Sequence, residues 1–284
     1  MIRDTKKMAE LVAEVRRFVR TECMPLEAQI DQADIIPEPV VERMRALGLF
    51  GHSIPEAYGG AGLTSEELSL INIEVSQAAT TFRARFGGNT GIASEALIAD
   101  GTEEQKRRYL PQLASGAVTG CFALTEPEAG SDATALKTVA VRDGDNYVIS
   151  GTKCYITNAP IANLFTVFAR TDMGSKGASG ITAFLIERGT LGLTTPPAYR
   201  KMGQHGSPVG EVLLDGCRVP ASSILGGQPV AEFQLVQQMI ADSNTDVHAA
   251  RALLLETARK RDDGVDVTME ASMCKLFEIG RAHV

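Results

Sequence analysis

The chain has 284 residues, of which 44% are hydrophobic and 22% charged, a composition typical of a globular protein with two or three packed units. The formal net charge of -7 argues against a broad basic surface for nucleic acid. The five cysteines form no CxxC pair and the four histidines show no metal-binding spacing, which favours reduced thiols and no metal site. The charged N-terminus resembles no signal peptide and no apolar run is long enough to span a membrane, so we expect a cytoplasmic protein.

Residues 5 to about 115 have the apolar spacing of helices. Leu11, Val15 and Phe18 recur at intervals of three and four, which places them on one helical face. No alternation of strands and helices occurs here, so this part of the chain does not indicate a βαβ nucleotide-binding unit.

Two capping-box patterns mark helix starts within this segment. Thr64 precedes Glu67 by three residues, and Thr102 precedes Gln105 by three residues. We expect the first of these helices to extend to about residue 81 and the second to end near Pro111.

From Gly120 to Val219 the apolar period is mostly two, which predicts short strands. The segments Asn146–Ile149 and Cys154–Thr157 flank Ser150 and Gly151, which predicts a hairpin turn at that dipeptide. We interpret this part as a small β-barrel or β-sandwich domain.

The helical period returns from Ala231, with an apolar stripe between Phe233 and Leu254. The order α, β, α predicts an α+β protein. Its parts are an all-α domain (residues 1–117), a small β-barrel or sandwich domain (118–225) and a fragment of a C-terminal helical bundle (226–277).

Two segments of the β part have residues suited to a flat, polar ligand. The loop Thr125–Asp132 offers two hydroxyl groups, and its three acidic side chains argue against a phosphate site. In Lys153–Thr157, Tyr155 and Thr157 should share one strand face, where an aromatic ring could stack on a conjugated ligand. Taken alone, these segments are more typical of an ordinary strand-to-turn exit and of a half-buried tyrosine in a small barrel.

Together, however, Ala123–Asp132 and Gly151–Asn158 resemble the two flavin-binding signature segments of the acyl-CoA dehydrogenase family, in the family's order. Lys201–Ser207 (KMGQHGS) and Gly101–Lys106 (GTEEQK) resemble two further stretches of that family. The resemblance covers residues 1 to about 225 without a break.

The resemblance implies an FAD site and assigns residues to it. Ser131 would also contact the pantetheine arm of an acyl-CoA substrate, and Tyr155 would lie against the isoalloxazine ring. Thr157 would bond near the flavin N5. The implied cofactor-binding residues are Phe122, Leu124, Thr125, Gly130, Ser131, Tyr155, Ile156 and Thr157.

The implied reaction is oxidation of an acyl-CoA to its 2,3-enoyl-CoA, with an electron-transfer flavoprotein as acceptor and a homo-oligomeric enzyme. A glutamate base is required, but no residue of this chain matches a catalytic position of the family; Glu256 and Glu270 are interpreted as helix-face charges. We therefore expect this chain to be inactive. The alternatives are a non-catalytic flavin- or CoA-binding remnant and a flavin oxidase or monooxygenase of the same fold.

Two departures from the family pattern explain the missing base. After Gly226 the sequence passes directly to a segment that resembles a later helix, which predicts an internal deletion of roughly fifty residues near residues 226–227. Residues 278–284 (EIGRAHV) do not resemble the family, and they back-translate to the opening of a common sequencing adapter. We interpret them as a non-native tail.

Overall fold

The computed structural model describes residues 2–175 and 177–227 and the single positions 260 and 263. The chain divides into two compact units, residues 1–232 and residues 233–284. The predicted apolar stripe from Phe233 to Leu254, the two helix-face glutamates and the tail lie outside the described residues. In the described part, no helix is both long enough and apolar enough to cross a bilayer.

The first half of the larger unit is helical, and its two predicted capping boxes are confirmed. Two reciprocal hydrogen bonds join Thr64 and Glu67. Oγ1 of Thr64 accepts from the Glu67 N–H at 3.3 Å, and Oε2 of Glu67 accepts from the Thr64 N–H at 2.8 Å. Thr102 and Gln105 do the same at 3.2 and 3.0 Å. The helices are α1 (Thr5–Phe18), α2 (Glu27–Ala33), α3 (Glu38–Ala46), α4 (Ser65–Val75), α5 (Thr80–Thr90), α6 (Ile92–Asp100) and α7 (Glu103–Ser115).

The predicted ends of these two helices are wrong. Helix α4 ends at Val75, and a separate helix, α5, follows it. Helix α7 continues through Pro111, because that proline is exposed while Leu110 and Leu113 on either side of it are fully buried. The packing of these leucines outweighs the hydrogen bond that the proline removes. The helix ends instead before Gly116, whose φ of +72° is left-handed.

The second half is one mixed, seven-stranded sheet within the described residues, so the predicted α+β class is confirmed. The strands follow the order β1-β4-β2-β3-β7-β6, and β5 pairs with the other edge of β4. Strand β1 runs parallel to β4, whereas β3 is antiparallel to both β2 and β7. The strands are β1 (Gly120–Ala123), β2 (Val139–Asp143), β3 (Asn146–Thr157), β4 (Leu164–Arg170), β5 (Ile181–Glu187), β6 (Leu193–Thr194) and β7 (Val209–Pro220).

The predicted hairpin turn at Ser150 and Gly151 is wrong. Both residues lie inside β3, which runs unbroken for 12 residues, and the turn before β3 lies at Gly144 and Asp145. Gly151 is required for another reason. A Cβ atom at this position would lie 2.3 Å from Oγ1 of Thr138, so the glycine permits close packing instead of a chain reversal.

A buried asparagine joins the helices to the sheet. Asn89 of α5 is fully buried, and its amide nitrogen donates to the carbonyl oxygens of Leu113 at 2.9 Å and Val118 at 2.7 Å. Its side-chain oxygen accepts from the N–H of Gly120, the first residue of β1, at 3.0 Å. The position at which β1 begins is therefore set by a helix residue.

Alanine at two glycines separates backbone strain from steric overlap. Gly216 has a φ of +59° with open space around it, so Gly216→Ala should destabilise the fold by about 1 kcal/mol through strain alone. Gly206 has a φ of +84°, and its Cβ would lie 2.7 Å from Cγ2 of Ile30 in α2. Gly206→Ala should therefore add a further ~1–3 kcal/mol from overpacking. Urea unfolding measures both; equal losses would contradict the contact with Ile30.

Candidate functional site

The loop after β1 is a tight turn held by its own backbone. The N–H of Glu126 donates to the Ala129 carbonyl at 3.0 Å, and the N–H of Ala129 donates back to the Glu126 carbonyl at 3.2 Å. Pro127 occupies the second position of this turn, where its fixed φ is favourable. The segment Thr125–Asp132 thus begins as an ordered turn.

A β-bulge shapes the other predicted segment. Lys153 pairs with Val212 and Ile156 pairs with Gly210, so Cys154 and Tyr155 together face the single intervening residue of β7. Tyr155 has a φ of +58°, a left-handed conformation that is strained for a non-glycine residue. The bulge holds a large aromatic side chain on the surface.

The prediction that Tyr155 and Thr157 share a face agrees with their burial. The Tyr155 side chain is 71% exposed and Thr157 is exposed, whereas Ile156 between them is buried in the β core. Ile156 could therefore contact a ligand on this face only through its backbone. Among the other predicted residues, Leu124 is half-buried and Ser131 is exposed.

Nothing in the described structure requires a glycine at position 130. Its φ is not left-handed, and a Cβ added to it would meet nothing within 4 Å. An exposed glycine of this kind is typical of a place where a ligand approaches the backbone closely.

The two predicted segments are bonded directly to one another. The N–H of Cys154 donates to the Thr125 carbonyl at 2.9 Å. The ammonium of Lys153 donates to the carbonyl of Leu124 at 3.2 Å and to Oε1 of Glu126 at 2.7 Å. Sequence reasoning assigned no binding or structural role to Lys153 or Glu126, because a local pattern does not show that the two side chains are buried against each other.

Both predicted aromatic residues have aromatic neighbours that the sequence did not indicate. The Phe122 ring lies 4.7 Å from the Phe168 ring, and the Tyr155 ring lies 5.5 Å from the Tyr199 ring. The hydroxyl of Tyr199 donates to Glu211 at 2.9 Å, and burial together with this bond raises the pKa of Tyr199 to about 12. Tyr199 therefore stays neutral and keeps its ring beside Tyr155.

The acidic side chains of the loop are engaged within the protein. Glu126 is buried. Burial acts to raise its pKa, but hydrogen bonds from Lys153 and from the backbone N–H groups that follow the loop outweigh it and lower the pKa. Glu128 pairs with Lys137 on the surface, and Asp132 accepts from the Thr134 N–H at 3.1 Å. The loop therefore exposes less negative charge than its sequence indicates.

Models of the three acyl-CoA dehydrogenase domains match nearly the whole chain. The N-terminal domain matches residues 5–117, the middle domain residues 121–217 and the C-terminal domain residues 222–282. The chain belongs to the acyl-CoA dehydrogenase family. Members of this family are oxidoreductases with acyl-CoA substrates, and the candidate site lies on the middle domain and on the turn that follows its first strand.

Individual relatives extend the match. A probable acyl-CoA dehydrogenase (YngJ) of Bacillus subtilis is 33% identical, covering 96% of this chain and 84% of its own length. An acryloyl-CoA reductase (NADH) of Anaerotignum propionicum is 33% identical, over 96% of this chain and 80% of the relative. The butyryl-CoA dehydrogenase structure of Megasphaera elsdenii superposes with a TM-score of 0.75 at 27% identity, covering 99% of this chain and 86% of the other.

The alignment with the Bacillus protein also bears on the internal deletion. It spans 318 positions, whereas this chain has 284 residues in total. The dehydrogenase relative therefore contains residues that have no counterpart within the aligned part of this chain.

A cleft of about 380 Å³ lies between α7 and the ends of β5 and β7. Gln105, Arg108 and Arg218 are among its lining residues, and none of the predicted flavin residues lines it. In this acyl-CoA dehydrogenase fold, the residues assigned from the sequence lie elsewhere, on the surface formed by β1, its following loop and β3.

The stretch Lys201–Ser207, which resembles the family, is bonded to residues of the helical domain. Nδ1 of His205 lies 2.6 Å from Oδ1 of Asp31, and Nε2 lies 3.1 Å from the Lys201 carbonyl oxygen. Both partners are acceptors, so the doubly protonated ring satisfies both contacts. The bond to Asp31 and then the bond to Lys201 raise the pKa of His205. The N–H of Gly206 also donates to Asp34, at 2.6 Å.

This raised pKa predicts a pH-dependent contribution to stability. A group with a raised folded-state pKa stabilises the protein fully below its unfolded value, near 6.5, and the effect is lost as the pH rises through the folded value. Asp31→Asn should therefore destabilise the protein at about pH 5.5 and have little effect at about pH 9. Urea unfolding at both pH values and an NMR titration of His205 measure this. The matched control is Asp215→Asn, at an exposed carboxylate on β7; equal losses at the two pH values would refute the linkage.

Proposed function

We propose that this chain derives from an FAD-dependent acyl-CoA dehydrogenase and that it binds FAD on the surface that the Thr125 turn and the strand carrying Tyr155 form together. The main support for the proposal is the exposure and backbone conformation of Tyr155. Its aromatic side chain is 71% exposed and held at a positive φ, and its contact with the Tyr199 ring leaves most of its surface open to a ligand. Strained residues of this kind cluster at ligand sites.

The residues present fit a flavin. Tyr155 offers a ring face for stacking, and Thr157 offers an exposed hydroxyl on the same face. Thr125 adds a second hydroxyl, and Gly130 leaves open space for close backbone approach. Hydroxyl and backbone groups beside an aromatic ring suit the polar edge and apolar faces of an isoalloxazine, and Phe122, Leu124 and Ser131 would continue this surface.

When bound, FAD supplies a hydride acceptor for the β-carbon of an acyl-CoA thioester. The residues of this chain would bind the cofactor and the substrate and would fix their orientation. Tyr155 and Thr157 would fix the plane of the ring, and the Ser131 hydroxyl would face the pantetheine arm of the substrate. Removal of the α-proton needs a separate base that reaches that carbon.

We infer that none of the acidic residues in the loop beside the proposed flavin site supplies that base. Of the three acidic residues in the loop, Glu126 is paired with a buried ammonium, and Glu128 and Asp132 are bonded within the loop region. A carboxylate held in this way is a poor general base. Since no residue of the sequence matches a base position of the family either, the chain would bind flavin without turnover, whereas a family member with its base would pass electrons to an electron-transfer flavoprotein and act as a cytoplasmic homo-oligomer.

Replacement of Tyr155 tests the flavin site. Tyr155→Ala should weaken FAD binding by about tenfold through loss of ring stacking. The measurement is titration of FAD fluorescence together with the visible absorption of the purified protein. Tyr58→Ala is the matched control, because Tyr58 lies on a short helical turn of the helical domain. The proposal fails if wild-type protein does not bind FAD or if both substitutions have the same effect.

Acyl-CoA addition tests the missing base. The FAD-loaded chain should keep its visible absorption when short-, medium- or long-chain acyl-CoA thioesters are added, because no group removes the α-proton. Stopped-flow absorption measures this under anaerobic conditions. Bleaching would show that the chain is catalytically competent, and peroxide formed in air on substrate addition would indicate an oxidase instead.

A further inference from the structure

The buried ion pair between Lys153 and Glu126 is the feature that the reaction itself does not explain. Both side chains are almost fully buried, with 0% and 5% of their surface exposed, and Nζ lies 2.7 Å from Oε1. Burial acts to lower the pKa of Lys153, and its bond to Glu126 opposes this shift. Replacing such a pair by apolar residues is often neutral or stabilising, so stability alone is a weak reason for its presence.

The pair binds the chain on both sides of Thr125. The Lys153 ammonium contacts the Leu124 carbonyl at 3.2 Å and the Glu126 carboxylate. The next residue of the strand, Cys154, donates its N–H to the Thr125 carbonyl. The three consecutive residues Leu124, Thr125 and Glu126 are therefore bonded to two consecutive residues of β3, and the second of these directly precedes Tyr155.

Glu126 also holds the far end of the loop. Its Oε1 accepts from the Thr138 N–H at 2.9 Å, and its Oε2 accepts from the Lys137 N–H at 2.6 Å. A carboxylate can accept at both oxygens, whereas a glutamine would present an NH₂ group to one of these two donors. The carboxylate closes the loop, and the buried ammonium is its counter-charge.

The β-bulge directs Lys153 into the protein. Regular alternation would place Lys153 on the exposed face with Tyr155 and Thr157. The extra residue in β3 instead leaves Lys153 and Cys154 both buried and turns Tyr155 outward. One local irregularity therefore creates both the internal pair and the exposed ring.

We propose that Lys153 and Glu126 are a positioning pair, which does not touch the cofactor but holds the Thr125 turn and the Tyr155 strand at the spacing that flavin binding requires. This role rests on the proposed flavin site. The pair fixes the turn at one end and residues 137 and 138 at the other, so its loss should loosen the whole loop between them.

The test compares Lys153→Met with Lys137→Met. Methionine keeps the length of the buried stem and removes the ammonium. Lys137 supplies the matched control, because its ammonium pairs with Glu128 on the surface of the same loop. Lys153→Met should weaken FAD binding by about tenfold or more and should speed hydrogen exchange at the Cys154 and Thr138 amides in protein without FAD. Lys137→Met should change neither.

A double variant separates positioning from stability. Lys153→Met leaves the Glu126 carboxylate buried without a counter-charge, and adding Glu126→Gln removes that charge. Lys153→Met/Glu126→Gln should therefore melt at a higher temperature than Lys153→Met, while FAD affinity stays low and amide exchange stays fast, because one backbone donor of the loop remains unpaired. It also provides a folded protein if Lys153→Met alone does not fold.

Failure of the positioning role and failure of the flavin proposal give different results in these experiments. Wild-type affinity and exchange in Lys153→Met would overturn the positioning role, as would recovery of FAD affinity together with stability in the double variant. If wild-type protein binds no FAD, the flavin proposal fails. The exchange measurements then still decide the inference about the loop: faster exchange at Cys154 and Thr138 supports the pair as a clamp, and unchanged exchange excludes it.

Discussion

Strand β3 pairs with β7 along its length and with β2 over residues 146–150, and this pairing determines which face each β3 residue of the candidate site occupies. A strand with two partners cannot shift its register without reversing the inward and outward faces of all its side chains. The bulge at Cys154 and Tyr155 lies beyond the part of β3 that pairs with β2; it is held by β7 on one side and by the bond from the Cys154 N–H to the Thr125 carbonyl on the other. It turns one aromatic ring to the surface and one ammonium into the interior.

The helical domain fixes the other half of the site. Asn89 uses all three of its observed bonds to hold the end of α7 and the start of β1 together. Strand β1 then ends at Ala123, two residues before Thr125. At a separate place, Asp31 and Asp34 hold the loop that precedes β7. The start of β1 and the loop before β7 are thus held by residues of the helical domain.

Membership of the acyl-CoA dehydrogenase family follows from the match along nearly the whole chain. The described residues, however, offer features for only part of the family's chemistry. The features that suit a flavin lie on β1, its turn and β3, all within the described residues. The feature that completes the reaction, a carboxylate facing the α-carbon, has no counterpart among the acidic residues of this loop, since each of them is bonded internally. In the function that we propose, cofactor binding and proton removal are separable, because different segments of the chain would supply them.

Part of this protein was determined by the sequence alone, because the relevant signals act over a few residues. The capping boxes at Thr64 and Thr102 need only a side chain and a backbone N–H three residues apart, and the change from a helical period to a period of two marked the β domain.

Other features of the fold and of the candidate site were decided only by the tertiary structure. Pro111 stays inside a helix because distant residues pack on Leu110 and Leu113. Gly151 permits contact with Thr138 instead of a turn, and Lys153 is buried because a bulge forms against β7. Each of these depends on a partner far away along the chain, and a local pattern contains no information about that partner.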